Sequence, residues 1–233
     1  MRHSISMPAA RATSALGATQ TNKVLRNTYL LLAITLLPTI VGAFVGALYP
    51  LMEALGWMSI IVFFGAMVGF QMMVIKNRHS IAGIWWLLAF TFVMGYFIGP
   101  LVGYALGAYS NGAQLVGIAV GGTAAIFFGL AGYATVTKRD FSGLSFGKTL
   151  FIGMWMLIAI GVINVFFQSS AIALAVSSLF IVIASGFILF TVNRIVRGGE
   201  DNYIMATMVL YIMLLNIFQS LLHLLMFFAG SRD

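Results

Sequence analysis

The chain contains no cysteine, and that absence removes disulfides, thiolate metal sites and cysteine nucleophiles at once. Charge is nearly as scarce. Only 7% of the 233 residues are Asp, Glu, Lys or Arg, against about a quarter in an ordinary soluble domain. So small a share cannot cover a water-facing surface. Acids are the rarest of all: Glu53, Asp140, Glu200, Asp201 and Asp233, each between or beyond the long apolar runs. With no carboxylate inside a run, intramembrane proteolysis by an aspartate pair is excluded. Proton- or cation-coupled transport loses the group it usually needs. His3, His79 and His223 stand far apart, which leaves no zinc set and no bis-histidine haem ligation, so no cofactor is expected.

What the chain has is hydrophobic length. Apolar residues make up 61% of it, in runs near the roughly 20 residues that carry a helix across a hydrocarbon core of about 30 Å. Nothing alternates with the dyad period of a membrane barrel. The expected class is therefore an all-α integral membrane protein, with the lipid bilayer as its solvent. Seven helices are expected at 28–49, 57–75, 81–104, 115–137, 150–167, 171–192 and 203–229. The fifth is the shortest, and its tight FQSSA connection to the sixth allows a helical hairpin. Residues 1–27 read as a flexible, basic cytoplasmic tail without the short apolar core of a signal peptide, and 28–233 as the transmembrane domain.

The net charge of +7 does not point to nucleic acid, because the basic residues are scattered over short connections. They sort by topology instead. Arg2, Arg11, Lys23 and Arg26 precede the first helix, and Lys76 and Arg78 follow the second. Lys138, Arg139 and Lys148 follow the fourth, and Arg194 and Arg197 follow the sixth. With seven spans, eleven of the twelve lie on one side and only Arg232 lies opposite. The positive-inside rule then puts the N-terminus in the cytoplasm and the C-terminus outside.

Gly95, Gly99, Gly103 and Gly107 recur every fourth residue in the third helix, and GAFVG, GAMVG and GIAVG repeat the small-xxx-small spacing. Such stripes let backbones approach closely; tight internal packing is the ordinary reading, a dimer face or hinge the functional one. Pro38 and Pro100 each remove a helix hydrogen bond, and Pro100 beside Gly99 is the better hinge candidate. Gly198-Gly199 ends the sixth helix, and Asp201 or Asn202 can cap the seventh. The functional alternative there is a charge gate made by Glu200 and Asp201 with Arg194 or Arg197. The seventh helix is the most polar. Taking Asn216 as zero, Gln219 falls at about −60°, Ser220 at about +40° and His223 at about −20°. These four share one face, either as interhelical glue or as the lining of a hydrated path in which His223 alone titrates near neutrality.

GYFIGP, GGEDNY, the following LY and NIFQSLL, in that order, resemble the Bax inhibitor-1 (TMBIM) family of seven-helix membrane proteins. KVLRNTYLLLAITL and the ending SRD are similar to its bacterial YccA-type branch. The resemblance runs from Lys23 to Asp233. It implies a bundle around a central seventh helix in a bacterial inner membrane, and some relatives are pH-sensitive calcium leaks gated by two aspartates. At those two positions this chain has Thr191 and Met213, so the gate does not carry over. The YccA-type branch implies instead a non-enzymatic role as a substrate and modulator of the FtsH membrane protease, engaged through residues 1–22. The calcium or cation leak stands as the alternative.

Overall fold

The computed structural model describes residues 7–49 and 55–230, with burial described from Gln20 onward. The described residues form seven long helices and no strand: α1 Met7–Leu48, α2 Met58–Lys76, α3 Ile81–Ala108, α4 Gly112–Val136, α5 Leu144–Phe167, α6 Ser170–Val196 and α7 Tyr203–Gly230. All seven are long and apolar enough to span a bilayer. The helix count agrees with the apolar runs, and the boundaries shift. Helix α1 begins at Met7, inside the segment read as a tail, while its span covers Gln20–Leu48. Helix α5 starts at Leu144, after Gly143 in extended backbone, so Lys148 sits in a helix rather than a loop. At 19 residues α2 is the shortest helix, not α5. Gln168, at φ 49°, and Ser169, whose Oγ accepts from Ile172 N, turn α5 into α6 as a hairpin.

The closest crossing is α1 on α3, and glycine makes it possible. A Cβ on Gly42 would strike the carbonyl oxygen of Phe92, and one on Gly46 that of Tyr96. From the other side, Gly95 faces the backbone of Thr39 and Gly99 that of Ala43 and Ala47. Pro100 lies within α3 and cannot bond back to Tyr96, the residue four before it. The Cα of Gly46 packs against the Tyr96 carbonyl. Gly103 meets Ala47 Cβ at 3.3 Å if given a Cβ, and Gly107 faces open space. Gly65, Gly69, Gly117 and Gly121 likewise have nothing within 4 Å. The same spacing is thus a packing seam in α1 and α3 and an outward surface in α2 and α4.

Helix α7 packs against α1, α2, α3, α4 and α6, most extensively against α6. Its buried residues cluster in its first half, from Ile204 to Met213. A three-helix node ties it in. Tyr211 is 1% exposed; its hydroxyl donates to Thr91 O at 3.1 Å and lies 2.9 Å from Thr39 Oγ1. Phe90 meets the same ring edge-on at 6.0 Å. One turn nearer the start of α7, Thr207 Oγ1 lies 3.2 Å from Thr28 O and donates at 2.7 Å to Tyr203 O of its own helix. Tyr211→Phe keeps the ring and removes only the hydroxyl. It is expected to lower stability by about 0.5–1.5 kcal/mol, read as the unfolding midpoint in detergent.

Candidate functional site

The charged segment after α6 folds as a compact junction. Gly198, at φ 74°, takes the left-handed conformation that stops the helix. Gly199 N then donates to Arg194 O at 2.9 Å and Gly198 N to Ile195 O at 3.0 Å, the paired bonds of a Schellman ending. Asn202 caps α7: its Oδ1 accepts from Met205 N at 3.0 Å. Of the two residues proposed for the cap, Asn202 holds it and Asp201 is exposed beside it.

Two asparagines join this junction to the other basic connections. Asn193 is 1% exposed. Its Oδ1 accepts from Phe141 N at 2.9 Å and Arg197 Nε at 3.0 Å, and its Nδ2 donates to Ala134 O at 3.3 Å. Arg197 continues outward, donating from Nη2 to Lys138 O at 2.9 Å and pairing with Asp140 at 3.5 Å. Asn202 Nδ2 donates to Arg78 O at 2.7 Å and lies 3.5 Å from His79 Nδ1. The α2–α3, α4–α5 and α6–α7 connections therefore meet at one end of the bundle.

The four residues proposed as a charge gate divide their partners. Arg194 pairs with Glu200 at 3.7 Å and donates from Nε to Gly199 O at 2.8 Å, both inside the junction. Arg197 reaches the α4–α5 connection instead. Asp140 is held below the usual carboxylate range by the Ser142 hydroxyl at 2.6 Å and the Ser142 amide at 2.8 Å, with Arg197 adding to the effect. It therefore stays ionised at neutral pH. Beside the junction, a half-open cleft of about 560 Å³ is bordered by Gln20, Asn22, Thr135, Arg197, Glu200 and Asp201.

The polar face of α7 splits when packed. Ser220 is 5% exposed, and Asn216 is half-buried with its amide donating to Ile212 O of its own helix at 2.8 Å. Gln219 and His223 are exposed. Among the hydroxyls and amides that bind helices and connections together are those of Thr39, Thr207, Tyr211, Asn193 and Asn202, of which only Asn202 stands out in the sequence. Asn193 carried one legible signal: it stands four residues before Arg197, on the same helix face.

The model of the family described as inhibitor of apoptosis-promoting Bax1 matches residues 21–230. The chain belongs to the Bax inhibitor-1 family. Among relatives, it is 39% identical over 213 residues to the Escherichia coli K12 protein named modulator of FtsH protease YccA, covering 91% of this chain and 93% of that one. The same match holds for an Escherichia coli O6:H1 relative named inner membrane protein YccA. It is 38% identical to a Vibrio cholerae membrane protein, over 94% of this chain and 96% of that one. With its seven spans, it is a multi-pass inner-membrane protein. Thr191 and Met213, where the family resemblance implies gate acids, are 6% and 7% exposed, and neither can carry a negative charge.

Proposed function

We propose that this chain is a non-enzymatic modulator of membrane-protein turnover that acts on an FtsH-type membrane protease. The likeness to a named modulator of that protease, over 91% of this chain, carries the reading. The basic end of the bundle faces the cytoplasm, as the one-sided distribution of lysine and arginine supports. Helix α7 is the core helix of the bundle, a role supported by its contacts with five others. The protease engages residues 1–22. Uncharged side chains at positions 191 and 213 count against a carboxylate-gated calcium leak.

The test follows turnover in cells. Full-length protein should be degraded with the protease present and persist in a protease-deficient strain. Deleting residues 1–22 should slow degradation several-fold while leaving the detergent-unfolding midpoint within a degree or two, on the order of a surface change. Equal turnover of the truncated and full-length proteins would overturn the role given to this segment. Indifference of both to the protease would overturn the partnership.

A further inference from the structure

At the end of the bundle opposite the basic junction, a second cleft of about 500 Å³ opens where α3 ends, α4 begins and α7 ends. One rim is polar: Ser110, Asn111 and Gln114 line it, and none of these side chains hydrogen-bonds within the described residues. Asn111 is the residue before α4, yet it makes no cap bond to the helix. The other wall is apolar, with Ile118 and Leu225 as its deeper surface. Ile118 is 49% exposed. From Asn111 to Ile118 the helix rises about 10 Å, so hydrogen-bonding groups give way to hydrocarbon over about that depth.

The floor is fixed. Leu115 is 5% exposed and packs with Ala119, Leu222 and Met226, and the first residue of α4, Gly112, lies so close to α3 that a Cβ would strike Ala105 O. The occupant of a site at this depth must offer acceptors or donors at the membrane boundary and a hydrocarbon chain below it. Among the described residues no charged side chain borders the cleft, and the groups on its rim are neutral donors. A phosphate ester with an attached acyl chain meets both demands, because its oxygens accept from amide and hydroxyl groups while the chain covers Ile118 and Leu225.

We propose that this cleft is a binding site for one membrane glycerophospholipid, its phosphate held by Ser110, Asn111 and Gln114 and one acyl chain lying along Ile118 and Leu225. The site lies in the leaflet away from the basic connections and is independent of any protease partner.

Native mass spectrometry of the full chain from nanodiscs of phosphatidylethanolamine and phosphatidylglycerol tests this. The wild type should retain one phospholipid after detergent stripping. The double variant Asn111→Ala/Gln114→Ala, at two exposed positions, should lose retention by about tenfold, or 1.4 kcal/mol. Gln20→Ala/Asn22→Ala, at the opposite cleft, should retain it. A phosphatidylglycerol with a photoreactive group in its acyl chain should label the segments holding Ile118 and Leu225. Equal retention by all three proteins, equal loss by both variants, or labelling spread evenly over all seven helices would mean annular lipid only and would overturn the proposal.

Discussion

Valine in place of Gly46 or Gly95 should destabilise the protein by about 3 kcal/mol, at the upper end of what overpacking costs. The size follows from what the new side chain meets. At most positions an added methyl displaces a flexible neighbouring side chain. At Gly46 it meets the carbonyl oxygen of Tyr96, and at Gly95 the backbone of Thr39, and neither can rotate away. Relief requires α1 and α3 to separate. That movement reaches further than the seam, because Thr39 and Thr91 hold Tyr211 of α7 from these same two helices. Valine at Gly65 or Gly117 adds the same bulk facing open space and should shift the unfolding midpoint little. Unfolding of all four variants in the same detergent separates the cases. If Gly65→Val and Gly46→Val fall together, the crossing does not set the loss, since helix propensity alone favours valine over glycine.

That comparison also marks where sequence reading stops. Seven spans were legible because lipid demands about 20 apolar residues per crossing, and the clustering of lysine and arginine supplied a second count. The end of α6 was legible because Gly198-Gly199 has few other uses at that place. Four glycine motifs of equal spacing, however, divide into two that pack and two that face outward. Spacing fixes which residues share a face and says nothing about what lies opposite. The same limit applies to α7. A helical wheel places Ser220 and His223 about 60° apart, and the rotation of the helix in the bundle decides that one is buried and the other exposed. Tyr211 and Thr39 were illegible for another reason: within a lipid-length run a tyrosine or threonine reads as one more membrane-compatible residue, and only its partners reveal a node.

Asn193→Leu should cost about 3 kcal/mol, and its signature should be local before it is global. Leucine has the same branched, four-atom side-chain skeleton as asparagine and is somewhat bulkier, so the substitution leaves no cavity. It leaves unpaired donors and an acceptor instead. Phe141 N loses its partner, Ala134 O loses a donor, and Arg197 loses the acceptor that aims its guanidinium at Lys138 O and Asp140. Each buried polar group left unpaired costs about 1–3 kcal/mol. Arg197, exposed at its tip, can turn to water, so the penalty falls mainly on the two backbone groups. Asn193→Asp keeps an oxygen for Phe141 N and Arg197 but turns an acceptor toward Ala134 O and buries a charge that Arg197 partly offsets, so it should fall between leucine and the wild type. Hydrogen exchange should rise first at residues 138–143, because this connection is held to α6 through Asn193 and Arg197. Protection of Asn202 and the α2–α3 connection should change little, since their bonds to Arg78 O and Met205 N do not pass through position 193. A uniform rise across all three connections would show that the junction opens as one unit. A loop that loosens alone would instead show two independent clasps on one end of the bundle. Under the proposed function that end faces the protease, and the two outcomes predict different behaviour there. Independent clasps would let Asn193→Leu change turnover through the α4–α5 connection while the start of α7 stays fixed.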